Sequence, residues 1–181
     1  MEPVTRHARR LVLAIAIACA LLGVHGGALA AEPLEYAVKA AYLVKFPFYV
    51  EWPPAAFAGP AAPLVLCVVG DDPFGSLLDE AAAGQQVQGH PLLLRRVKSL
   101  ARDSGCHMAY VGPDTRADPP RGSSVLLVTD GQPNAGIIHF VLKDNRVRFT
   151  VDDEAAAQGG LAISSKLLNV ALSVKPRGAS R

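Results

Sequence analysis

Leu64-Val65-Leu66-Cys67-Val68-Val69-Gly70-Asp71-Asp72-Pro73 is the stretch that decides the fold. Its first six residues are apolar without a break. A strand with one wet face alternates apolar and polar residues, so this run suits a strand covered on both faces. Gly70 to Pro73 then supplies a turn and a helix start. Asp71 or Asp72 is the expected cap, Pro73 the expected first-turn residue, and residues 74–83 the expected helix. A buried strand feeding a helix is the opening unit of an α/β sheet.

Downstream of this unit, strands are expected within residues 87–97, centred on Leu92–Leu94, then at His107–Val111 and Ser124–Val128. A short helix is expected over residues 97–103. Ile137–Leu142 and Arg146–Val151 flank Lys143-Asp144-Asn145 and read as a hairpin. In its second strand Arg146, Arg148 and Thr150 alternate with Val147, Phe149 and Val151. Asp152 or Asp153 can cap a helix over residues 154–158, which Gly159-Gly160 terminates. A last helix is expected from Leu161 to Val174. Upstream, Leu34, Val38, Ala41, Tyr42 and Lys45 share a mostly apolar helical face, and Pro47 ends that helix. The expected architecture is an α/β, three-layer sandwich. Its sheet is mixed and roughly six-stranded, mostly parallel, with an antiparallel hairpin at the edge.

The amino-terminal stretch carries a different signal. Arg6, Arg9 and Arg10 precede an uncharged apolar run from Leu11 to Leu22, and Ala28-Leu29-Ala30 has the small-residue pattern of a cleavage site. The run is shorter than the ~20 residues a membrane span needs. Residues 1–30 are therefore read as a secretory signal, and residues 31–181 as a single domain. The domain then holds 15 basic and 15 acidic side chains, because Glu2 and the three arginines leave with the signal. A neutral domain gives no support for nucleic-acid binding, which wants a basic stripe. Export also changes the cysteine arithmetic. Cys19 leaves, and Cys67 and Cys106 remain as an even pair in an oxidising compartment. Neighbouring first and third strands in a doubly wound sheet would bring them together. Free thiols are one alternative, and an open metal site with His107 is another.

Signals for catalysis are weak. Ser164-Ser165-Lys166 lacks the spacing of a Ser-x-x-Lys motif, and neither a nucleophile elbow nor a His-Glu-x-x-His helix occurs. Ser124, His139 and Asp130 could form a triad only if the fold assembled them. Arg95, Arg96, Arg146 and Arg148 lie on or beside strands, where they either face solvent and pair with acids or line an anion pocket. The reading is an exported binding or regulatory protein, not an enzyme, with no metal and no cofactor.

The carboxy-terminal helix suggests where a partner binds. At about 100° per residue, Ile163, Leu167, Val170 and Val174 form one stripe. Leu161, Leu168 and Leu172 form a second stripe, nearly opposite. Two opposed stripes mean burial on both sides or contact with another chain, so Leu161, Leu168 and Leu172 are the expected partner-binding residues, in a homodimer or a hetero-complex.

Several of these segments resemble one known family. Tyr42-Leu43 through Phe48 to Val50-Glu51-Trp52-Pro53 resembles its opening helix and Phe-Val-Glu-Trp-Pro ending. Cys67 to Gly75, Cys106-His107, Val147-Arg148-Phe149 and the run Gly160-Leu161 with Ile163 to Leu168 resemble its other marks, in the same order. These are features of the YfiR family of periplasmic regulators. The resemblance implies a repressor that binds the periplasmic sensor domain of a membrane-bound, YfiN-like diguanylate cyclase and so controls cyclic di-GMP and biofilm formation. It also implies an α/β fold, a homodimer, a possible small-molecule ligand and a Cys67–Cys106 disulfide. A small-ligand-binding protein serving another receptor is the alternative. The sequence departs from the family in lacking a second cysteine pair in the hairpin region.

Overall fold

The computed structural model describes residues 31–101, 104–117, 123–131 and 136–178, with side chains from residue 34 onward. The expected signal segment lies outside the described residues. The unit from Glu35 to Arg181 is built on a mixed sheet. In chain order its elements are helix α1 (Ala31–Lys45), strands β1 (Val50–Glu51) and β2 (Leu64–Val69), and helix α2 (Ser76–Ala82). Strands β3 (Gln86–Val87), β4 (His90–Val97), β5 (Met108–Val111), β6 (Leu126–Asp130), β7 (Ile138–Lys143) and β8 (Arg146–Asp152) follow. Helix α3 (Asp153–Gln158), β9 (Ala162–Ile163), α4 (Ser165–Val170) and β10 (Ser173–Lys175) complete it.

Eight strands form one sheet in the order β10-β8-β7-β6-β5-β2-β4-β3. The β3–β4 and β7–β8 pairs are antiparallel and the rest are parallel. A short pair, β1–β9, lies apart from it. The α/β class and the mostly parallel mixed sheet match expectation, with eight strands in place of about six. The extra strands cap both edges: β3 lies outside β4, and β10 lies outside the hairpin, which is therefore not the edge. Asp144 and Asn145, both with positive φ, make the two-residue turn that lets β7 and β8 pair with the right twist.

Strand β2 sits inside the sheet and every one of its residues is buried. Leu64, Leu66 and Val68 join the larger core cluster, to which α1, α2, α3 and α4 contribute Leu43, Leu78, Ala156 and Leu167. Val65, Cys67 and Val69 join a second cluster on the opposite face. No helix among the described residues contributes to that second cluster. Its cover comes from connecting segments through Leu100, Cys106, Ala117 and Val125. Among the described residues the third layer is thus thin and irregular, and the helix expected over residues 97–103 is replaced by non-helical chain at 98–101, its positions 102–103 lying outside the described residues. No helix among the described residues is long and apolar enough to cross a membrane.

The turn after β2 also differs in detail. Helix α2 starts at Ser76, without a side-chain cap. The Asp72 carboxylate instead accepts from the Phe74 amide at 2.8 Å, an Asx turn two residues long. Gly70 has φ of +79°, and a Cβ there would lie 2.5 Å from Thr115 Oγ1. Only glycine fits where the loops after β2 and β5 close on each other.

Candidate functional site

Helix α1 and its continuation, a 3₁₀ turn at Phe46–Tyr49, build one wall of a surface groove. Pro47 causes the change, since it cannot donate the amide an α-helix needs. Helix α4 builds the other wall, and Phe149 of β8 lies at the bottom. The groove encloses about 720 Å³ and is lined by apolar side chains except for Lys45 and Lys166. Its floor is an aromatic cluster. Tyr42 stacks on Phe46 at 5.6 Å between centroids and meets Phe149 edge-on at 5.5 Å. Phe46 meets Phe149 edge-on at 5.1 Å. Val38, Tyr49 and Val170 stand on the walls, exposed to 37%, 39% and 61%.

Behind α1, on its sheet side, lies a buried ionic cluster. Lys39 is only 4% exposed. Its Nζ donates to Glu35 one turn away and, at 2.5 Å, to Asp130 at the end of β6. The Tyr110 hydroxyl donates to the same Asp130 oxygen at 3.0 Å. Burial by itself would lower the Lys39 pKa. The hydrogen bonds to Asp130 and Glu35 outweigh it, and the pKa is raised. Burial, with the Asp130 charge, pushes the Tyr110 phenol up. Neighbouring His139 shares a 3.0 Å hydrogen bond with Thr129, and burial lowers its pKa. The cluster locks α1 to the ends of β5 and β6.

The opposite face of the hairpin is basic. In the antiparallel register Lys143 lies directly across from Arg146, and Arg148 follows on the same face. With Asp144 and Leu172 they line a shallow recess. None of these three cations forms an ion pair among the described residues.

A third feature surrounds the disulfide. Cys67 and Cys106 are bonded, with Cα atoms 5.8 Å apart, which removes both from any metal site. Adjacent His107 accepts the Val65 amide on Nδ1 and contacts the Ala56 carbonyl through Nε2. Burial lowers its pKa. The Phe57 ring stacks between His90, at 3.9 Å, and His107, at 4.6 Å.

Other candidates from the sequence fare differently. Residues 161–174 are not one helix, so the two opposed stripes do not exist. Leu161 is 2% exposed, inside the core, and is corrected to a packing residue. Leu168 is half-buried against that core, and Leu172 is half-buried in the recess beside Arg146 and Arg148. Of the three, Leu172 alone lines that recess. The four arginines do not share a pocket either. Arg96 binds Asp72 and Asp79, and Arg95 donates to the Ser104 carbonyl at 2.7 Å. Both belong to β4, remote from Arg146 and Arg148 on β8 in the strand order. Ser124 precedes β6 and Asp130 ends it, about 20 Å away along an extended strand. The triad of Ser124, His139 and Asp130 is therefore not assembled. Ser164 serves as the α4 cap, accepting from the Lys166 amide.

The groove is not legible in the sequence, because its two walls, α1 and α4, meet only in the fold. Lys166, one helical turn before Val170 on α4, is the available signal. No curated protein matches the chain. The YfiR/HmsC-like family model matches residues 36–172, from α1 to the end of the α4–β10 connection. The match takes in every strand of the sheet except β10, the disulfide and both walls of the groove, and the chain belongs to the YfiR/HmsC-like family.

Proposed function

We propose that this protein is a periplasmic repressor that binds the sensor domain of an inner-membrane diguanylate cyclase and so limits cyclic di-GMP and biofilm formation. Family membership across residues 36–172 is the observation that carries this reading. The first 30 residues act as its cleaved secretory signal. The protein works by binding, without turnover of its own, and as a homodimer.

The basic hairpin face is the contact surface this reading favours. Like charges directly opposite each other on paired strands are destabilising. Lys143 across from Arg146, with Arg148 beside them, holds such a cost in the free protein. An acidic partner surface relieves it, and half-buried Leu172 gives that contact an apolar centre. Leu168 stands close in sequence as a supporting contact, whereas Leu161 is reserved for the core.

Deletion of the gene is expected to raise cyclic di-GMP, and the wild-type gene to restore it. Arg146→Ser with Arg148→Ser is expected to fold, to weaken binding to the cyclase's purified periplasmic domain, and to restore poorly. Unchanged cyclic di-GMP on deletion refutes the repressor reading. Full repression by the double variant refutes the hairpin as its surface.

A further inference from the structure

We propose that the groove between α1 and α4 binds an apolar anion of the fatty-acid class, a hydrocarbon body with one carboxylate head. The inference stands apart from the cyclase reading, which concerns another face.

The groove's size and lining point to a small molecule. Ligand pockets typically enclose about 300–1,000 Å³, are mostly apolar, and carry a few placed polar groups. This groove encloses about 720 Å³, and among the described residues its only charged lining residues are Lys45 and Lys166. The apolar walls are not sealed: Val38, Tyr49 and Val170 all stand open to water. Contiguous exposed apolar surface on a soluble domain marks a binding site.

The lysines decide the sign of the ligand. Lys45 sits at the end of α1 with its Nζ 5.3 Å from the Phe48 ring centre, and Lys166 sits on α4 across the groove. Among the described residues neither forms an ion pair, and no acidic residue lines the groove. A carboxylate held between them gains two charge-assisted hydrogen bonds, while its chain covers Val38, Ala41 and Val170.

Two other occupants fit less well. A second copy placed symmetrically would set Lys45 and Lys166 of both chains at one contact, with no carboxylate among the described lining residues to oppose them. A protein partner typically covers about 20–30 residues on each side, whereas eleven of the described residues line this groove.

Titration calorimetry of the mature protein with monomeric dodecanoate tests the proposal. Dodecanol and dodecyltrimethylammonium serve as neutral and cationic controls. One dodecanoate per chain is expected, with both controls weaker. Lys45→Met with Lys166→Met is expected to lower dodecanoate affinity about tenfold, equivalent to 1.4 kcal/mol. Ala41→Trp fills the groove from an exposed position and is expected to abolish binding with thermal stability kept. Val170→Trp, on the facing wall, is the second such variant should the first fail to fold. Absent dodecanoate binding overturns the proposal, as does binding that survives a folded tryptophan variant. Equal affinity for the trimethylammonium control overturns the anion assignment. If sedimentation shows that the tryptophan variants convert a dimer into monomers and the parent binds no dodecanoate, the groove is a contact between copies and the proposal falls.

Discussion

The two sides of α1 are both apolar, and the fold treats them in opposite ways. The inner side, Ala40, Leu43 and Val44, is buried to 2% exposure or less. The outer side, Val38, Ala41, Tyr42 and Lys45, forms a wall of the open groove. The sequence pattern marks the outer side as the apolar face, since Leu34, Val38, Ala41 and Tyr42 have regular helical spacing. The inner side includes Lys39, which makes that face read as more polar than it is. A charge enters a core only with partners, and the main partner here is Asp130, 91 residues away in sequence. An amphipathic pattern therefore marks apolar surface without saying whether the protein itself or another molecule covers it.

The largest expected effect tests the inner side. Lys39→Met leaves Asp130 and Glu35 without their buried cation. Removing one partner of a buried pair costs about 3–5 kcal/mol, readable in urea melts through Trp52, the chain's single tryptophan. A loss below about 1 kcal/mol would mean that the ionic cluster does not hold α1 to the sheet. Leu43→Ala, at a fully buried position, is expected to cost about 2–5 kcal/mol. A near-neutral result would place the core on the other side of the helix.

A smaller effect concerns pH. Burial holds the His139 pKa below its ordinary value. The unfolded chain then binds more protons at mildly acid pH, so this histidine's contribution is present above about pH 6.5 and is lost as pH falls through its lower folded pKa. His139→Gln is expected to flatten the decline in urea midpoint between neutral and mildly acid pH. An unchanged slope would show that His139 does not report on the cluster. The smallest effect belongs to the outer side. Val38→Ala is expected to change stability by no more than about 0.5 kcal/mol. A loss above about 1 kcal/mol would erase the contrast between the two sides.

The carboxy-terminal segment repeats the lesson at a smaller scale. Residues 161–174 have helical spacing, yet they form β9, the six-residue α4 and part of β10. Ile163 pairs with Val50 of β1, 113 residues earlier, and Ala162 pairs with Glu51. Ser173 to Lys175 pair with β8. Each pairing satisfies backbone groups through strands distant along the chain, and helical propensity over a short segment is too weak to oppose that. Leu161 passed from expected contact residue to core residue for this reason.

What local chemistry dictates was legible in the residues. The unbroken apolar run fixed β2 at Leu64–Val69. Strand alternation placed Phe149 and Val151 inward, both 2% exposed. Asp152 capped α3 as its position suggested. The cysteine pair joined because parallel strands β2 and β5 are neighbours. Tertiary structure alone decided which side of α1 is core, where the two edge strands come from, and that a groove whose two lysines form no ion pair among the described residues stays open. Those outcomes depend on burying Lys39 against Asp130 and on pairing strands far apart in sequence, and no periodicity within a single segment encodes either.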